Sequence, residues 1–254
     1  MNVSGAIVTN VGGTRASNED CVVAGSWKER RSMIVPYTFE FSVLQNDVVL
    51  VADGMGGHRA GEHASNMVAN AFLQNDHSLT DAASLAAFLR GINLAIFDSA
   101  SEDKHLRGMG TTVAGVICTA EGLLWFNVGD SKIFRFRDDF LRQLSVDDVA
   151  SRATISGSSK AGLTQALGGA PQFIDIDPHI GTEPLADGWR YLICSDGLTD
   201  VLSTSAIEDI ISETDEATVQ KLLDTTLAKG APDNVSIIMI TVKADTAGER
   251  GDLR

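Results

Sequence analysis

The sequence predicts an α+β fold in which antiparallel β-sheets carry helices on their outer faces. Many apolar runs are short, β-branched and bounded by Gly, Asp, Asn or Ser, which is typical of strands. The helical patterns come two at a time rather than one after every strand, which disfavours a doubly wound parallel sheet. The 254 residues contain no repeat and no low-complexity linker. We therefore expect one domain over residues 1–243 and a polar tail over residues 244–254.

The predicted strands share the β-branched, bounded pattern and cover residues 6–9, 21–24, 48–52, 111–118, 123–128, 132–137, 173–176, 190–194 and 236–242. Apolar residues spaced i, i+3, i+4 and i+7 predict helices around residues 64–72, 85–96 and 219–227. Asp81 is a plausible N-cap of the second helix. Lys229-Gly230 predicts the end of the third. A short helix is expected near residues 205–213, and the polar segment 147–164 is typical of a surface flap.

Composition excludes several classes of function. The chain has 34 acidic and 20 basic residues and a formal charge of −14, whereas nucleic-acid binding needs clustered positive charge. No apolar run approaches the roughly 18–20 residues of a membrane-spanning helix. The start of the chain lacks the basic and then apolar pattern of a secretory signal. The three cysteines have no metal-type spacing, so we expect reduced thiols in a cytoplasmic protein.

Acidic residues recur where predicted strands begin or end. The residues at these positions are Glu19, Asp20, Asp53, Asp130, Asp196 and Asp233. A turn is the better interpretation of any one of them, as it is for Asp187-Gly188, which follows polar sequence. Because strands that share a sheet bring their ends to one edge, the set as a whole predicts a cluster of carboxylates.

Clustered carboxylates would repel one another and lose hydration. Hard divalent cations relieve both costs, and they prefer carboxylate, carbonyl and water oxygens. No zinc-type set of Cys and His occurs, so Mg²⁺ or Mn²⁺ is expected, with two or more ions. Gly54 allows its own carbonyl to approach such an ion. Paired cations suit attack of an activated water on phosphorus, and Arg15, four residues before Glu19, could bind the phosphate.

Seven segments now identify a resemblance. They are "RASNED", "VADGMGGHRAGEHAS", "GMGTTVAG", "VGDSKIFRF", "LTQALGG", "CSDGLTD" and "APDNVS". In this order they resemble the bacterial form of the PPM family, the metal-dependent serine/threonine protein phosphatases of type 2C. The match runs from about residue 6 to residue 243. It implies a four-layer αββα sandwich of two antiparallel β-sheets flanked by helix pairs, with the metals at one edge.

The resemblance also implies metal ligands by motif position. Asp53 would bridge two metals, and Gly54 would contribute its carbonyl. Asp196 and Asp233 would bind the second metal. Glu19 would help to hold the first metal through water.

Other roles follow in the same way. The resemblance implies that Asp20 supports the metal site and that Asp130 belongs to a third, weaker one. Arg15 matches the phosphate-binding arginine. Asn234 is expected to orient its neighbour Asp233.

Two departures from the family pattern concern histidine. Eukaryotic relatives have a histidine directly after the Asp-Gly pair, where this chain has Met55. His58 is then a candidate for proton transfer, although a structural role at the start of a helix competes with it, and a metal-bound water could serve instead. Asp148 stands where the family has a histidine after its "LT" or "LS" strand.

The resulting hypothesis is hydrolysis of phosphoserine and phosphothreonine by a metal-activated water. The expected partners are phosphoproteins and a cognate bacterial Ser/Thr kinase, and we expect a monomer without nucleic-acid or membrane partners. An aspartyl-nucleophile phosphohydrolase would need a second Asp two residues from Asp53, where the chain has Val51 and Met55. A catalytically inactive regulatory or metal-sensing module remains the alternative, although Asp196 and Asp233 are both present.

Overall fold

The computed structural model describes residues 1–56, 59–75, 78–150, 162–211 and 214–244. Within these ranges the strands are β1 (Asn2–Asn10), β2 (Cys21–Ala24), β3 (Trp27–Glu29), β4 (Tyr37–Ser42), β5 (Val48–Ala52), β6 (Gly54–Met55), β7 (Gly110–Thr111), β8 (Val113–Thr119), β9 (Gly122–Val128), β10 (Lys132–Arg137), β11 (Phe140–Gln143), β12 (Leu167–Gly168), β13 (His179–Glu183), β14 (Arg190–Cys194) and β15 (Val235–Lys243). The helices are α1 (Arg59–Gln74), α2 (Ala82–Glu102), α3 (Asp196–Thr199), α4 (Thr204–Glu208) and α5 (Asp215–Ala228).

Two six-stranded sheets form the centre of the molecule. The first has the order β11-β10-β14-β15-β1-β4, and the second has the order β13-β9-β8-β5-β2-β3. Neighbouring strands pair antiparallel throughout both sheets. A small third sheet, β12-β7-β6, lies beside Asp53. The fold class predicted from the sequence is confirmed.

Three apolar cores separate four layers. The middle core lies between the two sheets and includes Ile7, Val51 and Tyr191. The outer face of the second sheet packs against α1 and α2 through residues such as Leu50 and Phe126. The outer face of the first sheet packs against α3, α4 and α5. The helix layer on that side is therefore one long helix with two short ones rather than an even pair.

The helix signals in the sequence agree with the structure. Asp81 is extended and its side chain accepts a hydrogen bond from the backbone N–H of Ser84, so it caps α2 as predicted. The helix α5 ends before Lys229, and Gly230 has a φ of 101°. Asp187-Gly188 forms a turn before β14, as its polar context predicted.

The strand predictions fail in a regular way. The strands β3, β4, β11 and β13 were missed, and each lies at an edge of its sheet. Edge strands are half exposed, so they lack the continuous apolar run that marks a central strand. The predicted strand at residues 173–176 is wrong. The backbone carbonyls of this segment accept hydrogen bonds from side chains of α2 instead of from a neighbouring strand. Arg90 donates to Ile176 O at 3.1 Å, and Asn93 donates to Ile174 O at 2.9 Å.

Parts of three predicted segments lie outside the described residues. Of the short helix expected near residues 205–213, residues 212–213 are outside, and the described part contains α4. Of the predicted flap over residues 147–164, residues 151–161 are outside, and an antiparallel bridge joins Val149 to Leu163 at its base. Of the predicted tail, the structure describes Ala244, whose N–H donates to Asp187 Oδ1 at 2.7 Å. Among the described helices, none is long and apolar enough to cross a membrane.

Close packing between the strands of the second sheet explains why residue 115 is a glycine. A Cβ on Gly115 would lie 2.7 Å from Leu50 Cβ and from the Phe126 ring, and 2.8 Å from Val49 O. Gly115→Ala should therefore lower the free energy of unfolding by about 1–3 kcal/mol, the usual cost of overpacking. Gly91 is the matched control, because it is an exposed position of α2 with nothing within 4 Å of an added Cβ. Gly91→Ala should raise the stability by about 0.5–1 kcal/mol. Urea unfolding measures both, and equal effects would contradict this account.

Candidate metal centre

The predicted acidic residues meet at one edge of the sandwich. Strands of both sheets begin or end there: β5 leads into Asp53, β14 into Asp196, and Asp233 precedes β15. The cleft between them has a volume of about 290 Å³. Its lining residues are Arg15, Glu19, Asp53, Gly54, Met55, Gly56, Thr112, Asp130, Leu163, Asp196, Asp233 and Asn234.

Asp53 is fixed by its own backbone. Its carbonyl accepts hydrogen bonds from the N–H of Thr112 and the hydroxyl of Thr111, each at 2.9 Å. The next residue must be a glycine, because a Cβ on Gly54 would lie 2.4 Å from Gly61 O and 2.5 Å from Glu19 O. The chain therefore leaves β5 along a narrow path between α1 and the Glu19 backbone.

Asn234 holds the segment that carries Glu19. Its side-chain oxygen accepts the N–H of Glu19 at 2.9 Å, and its amide group donates to Val11 O and Ser17 O, each at 3.0 Å. The hydroxyl of Ser65 in α1 donates to Glu19 O at 2.6 Å. The Asn234 side chain thus orients the Glu19 backbone, while Asp233 Oδ1 accepts the backbone N–H of Asn234.

Asp20 lies beneath the cleft and is fully buried. Its Oδ2 accepts hydrogen bonds from Ser236 Oγ at 2.6 Å and from Ser195 Oγ at 3.1 Å. Its Oδ1 is buried and has no hydrogen-bond partner within the described part of the chain. Burial is the main cause that raises the pKa of Asp20 to about 7, although both hydroxyls oppose the shift.

Burial and neighbouring carboxylates raise the pKa values of Asp53 and Asp130. Loss of hydration is the largest cause that raises the pKa of Asp53 well above its ordinary value, followed by the charges of Asp20, Asp196, Asp233 and Asp130. Burial raises the pKa of Asp130 to about 6, with Asp196 adding to the shift. Without further positive charge, this edge of the molecule therefore tends to bind protons.

Arg15 is the basic residue among the described lining residues. Its Nη2 lies 2.7 Å from Asp233 Oδ2, and half of its side chain is exposed. The hydrogen bond to Asp233 is the main cause that raises the pKa of Arg15. One guanidinium group does not balance the five lining carboxylates of Glu19, Asp53, Asp130, Asp196 and Asp233.

The donor set fits hard divalent cations. The lining offers carboxylate oxygens, and Oδ1 of Asp20 is a buried acceptor that no donor of the described residues uses. Within the described ranges, no three His, Cys, Asp or Glu side chains are arranged to hold an ion by themselves. Backbone oxygens and waters would therefore complete the coordination, as is usual for Mg²⁺, which keeps several of its waters.

The structure brings most of the predicted site residues together. Arg15, Glu19, Asp53, Gly54, Asp130, Asp196, Asp233 and Asn234 line the cleft, and Asp20 lies below it. His58 lies outside the described residues. Sequence reasoning missed Gly56, Thr112 and Leu163 as lining residues, and it noted Met55 only as a replacement for histidine. The hydroxyls of Ser195 and Ser236 were also missed, although each belongs to a quoted motif next to a predicted ligand.

Comparisons with known proteins find similar sequences and structures. The family model described as "Protein phosphatase 2C" matches residues 38–229. The serine/threonine protein phosphatase PstP of Mycobacterium tuberculosis is 31% identical over 243 residues, which is 90% of this chain and 43% of that protein. The chain thus spans less than half the length of that relative.

Two solved structures are similar over nearly the whole chain. The crystal structure of M. tuberculosis PstP/Ppp has a TM-score of 0.78 at 27% identity, covering 96% of this chain and 100% of that chain. A PstP catalytic domain in complex with two manganese ions has a TM-score of 0.75 at 29% identity, with the same coverage.

The crowding of carboxylates predicts the stability of the metal-free protein. A carboxyl group whose pKa is raised by folding stabilises the fold at low pH. This contribution to the free energy of unfolding is lost as the pH rises from the ordinary pKa of about 4 to the raised pKa, which is about 6 for Asp130 and about 7 for Asp20. In EDTA at pH 8, Asp53→Asn should therefore melt at least about 2–4 °C above the wild type, the shift expected for about 1 kcal/mol. The difference should shrink at pH 5. Differential scanning calorimetry measures it, with Asp187→Asn in the remote turn as control. A lower melting temperature for Asp53→Asn at pH 8 would contradict the electrostatic interpretation.

Proposed function

Since the chain belongs to the protein phosphatase 2C family, we propose that it hydrolyses phosphoserine and phosphothreonine monoesters on proteins with the help of divalent cations. The observation that carries the proposal is the convergence of five lining carboxylates and one arginine in a single cleft. Carboxylates this close together need cations to offset their repulsion, and Arg15 beside them suits an anionic substrate.

We infer that the cations bind as a pair. The related PstP catalytic domain with two manganese ions supports this. Asp53, Asp196, Asp233 and the Gly54 carbonyl would hold the two ions, Glu19 would help through water, and Asp20 would support them. Asp130 is proposed for a third, weaker site. When bound, the ions would activate water as a nucleophile and neutralise charge on the phosphate.

Arg15 has the position and the chemistry to bind the substrate phosphate. Its guanidinium has five N–H donors in a planar fork, and the hydrogen bond to Asp233 uses one of its nitrogens. Phosphate oxygens could accept from the remaining donors in a bidentate arrangement. Asp233 limits where the guanidinium can lie, and it would therefore limit where a bound phosphate could lie in the cleft.

Further features of the function are proposals of the same kind. Mg²⁺ is the alternative to Mn²⁺, because both are hard cations that prefer oxygen ligands. His58 is proposed as a proton donor to the leaving group. The physiological partners would be phosphoproteins and the Ser/Thr kinase that the enzyme opposes, in a cytoplasmic signalling pathway, with the phosphatase acting as a monomer.

Phosphate release from a phosphothreonine peptide tests the proposal. With Mn²⁺ the wild type should turn over, and EDTA should abolish the activity. Asp196→Asn should lower kcat/KM by more than about 100-fold, since loss of an outer partner of a metal ligand alone costs about 10–100-fold. Asp187→Asn makes the same chemical change in the turn before β14 and should leave the activity unchanged.

The inactive regulatory module predicts a different result. Folded wild-type protein would then release no phosphate with either Mn²⁺ or Mg²⁺. That outcome would overturn the proposed activity while leaving the family membership intact.

A further inference from the structure

Asp148 is a buried acidic residue to which the proposed chemistry assigns no role. Its side chain is 7% exposed, and three different segments donate hydrogen bonds to it. The N–H of Gly129 donates to Oδ2 at 2.9 Å. Gln165 Nε2 donates to Oδ1 at 2.9 Å, and His179 Nε2 lies 2.9 Å from the same oxygen. A buried carboxylate with this many partners fixes the positions of the groups that bind it.

One of these groups belongs to the turn that carries Asp130. Asp148 and Gly129 bind each other twice, because the N–H of Asp148 also donates to Gly129 O at 3.1 Å. Gly129 has a φ of 103°, and a Cβ there would lie 2.6 Å from Thr112 Cγ2. The turn is therefore packed on Thr112 on one side and held by two hydrogen bonds to Asp148. Asp130, the next residue, enters the cleft from it.

A second group is the segment that carries Leu163. The carbonyl of Asp148 accepts the N–H of Thr164 at 2.8 Å. The next residue, Val149, forms the antiparallel bridge with Leu163, and Leu163 lines the cleft. The backbone and side chain of Asp148 together therefore tie Leu163 to the Asp130 turn.

The donors to Asp148 are themselves held in place. An ionised carboxylate only accepts hydrogen bonds, so His179 Nε2 must carry a proton in this contact. His179 lies on the edge strand β13 opposite Asn127. The Gln165 amide cannot reverse its orientation, because its Oε1 accepts the N–H of Asp177 at 2.8 Å. The orientation of the Asp148 carboxylate thus depends on Gln165 and His179, neither of which is among the described lining residues of the cleft.

We propose that Asp148 is a positioning residue that holds Asp130 and Leu163 at fixed places in the cleft, and that His179 keeps the Asp148 carboxylate in the orientation this requires. The inference rests on the proposed function, and it adds Asp148 and His179 to the residues that determine how the substrate binds. Loss of the His179 donor lets the carboxylate turn, which displaces Asp130 and Leu163. Binding of a phosphopeptide should therefore weaken while the chemical step changes little.

Two variants of His179 separate its donor from its volume. His179→Phe keeps a ring but removes the donor, and it should raise KM for a phosphothreonine peptide about 3–10-fold, the equivalent of about 1 kcal/mol for a hydrogen bond. The kcat should stay within about twofold of the wild type. His179→Gln keeps an N–H donor and should keep KM within about twofold.

Asp215→Asn controls for a general loss of stability. Asp215 is another acceptor with little exposure, 11% of its side chain, and it binds Arg190 and Thr241 at 2.7 Å and 2.8 Å. Thr241 is six residues along β15 from Val235, about 20 Å from the cleft edge at roughly 3.3 Å per residue. Asp215→Asn should lower the melting temperature without raising KM. Equal KM changes in Asp215→Asn and His179→Phe would overturn the proposal, as would a His179→Gln protein that behaves like His179→Phe.

A readout without turnover distinguishes this proposal from the proposed activity. Hydrogen exchange of the Gly129 amide, followed by NMR, reports its bond to Asp148. Exchange should accelerate in His179→Phe by at least about fivefold and stay near the wild-type rate in His179→Gln. Unchanged exchange in both variants would refute the positioning role even if the wild type were inactive. If exchange responds as expected in a wild type that lacks turnover, the positioning role stands and only the activity fails.

Discussion

Repulsion among carboxylates at one edge of the sandwich is the constraint on which the rest of the site depends. Burial is the largest cause that disfavours the ionised form of Asp53, and the charges of Asp20, Asp196, Asp233 and Asp130 add to it. Such an arrangement is costly unless protons or cations compensate for it. Arg15, the basic residue among the described lining residues, cannot do so alone. The proposed metal ions account for the arrangement, and their charge would also stabilise the transition state of phosphate transfer.

The fold meets this constraint by holding the backbone around the carboxylates very firmly. Gly54 passes between α1 and the Glu19 backbone where no side chain would fit. Asn234 clamps the segment that carries Glu19 to the start of β15. Hydroxyls of Ser195 and Ser236 hold one oxygen of Asp20 and leave the other unpaired within the described part of the chain. Neutral donors dominate this support, so they fix the carboxylates without cancelling the charge that attracts cations.

The sequence predicted those parts of the molecule whose pattern is local and strong. The central strand β5 is a continuous apolar run and β15 is mostly apolar, and acidic residues next to them follow directly from the chain order. Edge strands such as β4 and β13 were missed because half of each faces away from a core. Asp148 was noted only as a departure from the family pattern. Its partners Gly129, Gln165 and His179 come from three segments, and such a contact leaves no periodic signal in the chain.

Calorimetric titration of Mn²⁺ into EDTA-stripped protein at pH 6.5, in two buffers of different ionisation enthalpy, tests the central claim most directly. Metal ligands must lose their protons on binding, and the pKa of Asp20 is raised to about 7 while that of Asp53 is raised well above its ordinary value. The account predicts at least two ions per chain with net release of protons. Binding of fewer than two ions, or binding without proton release, would contradict it.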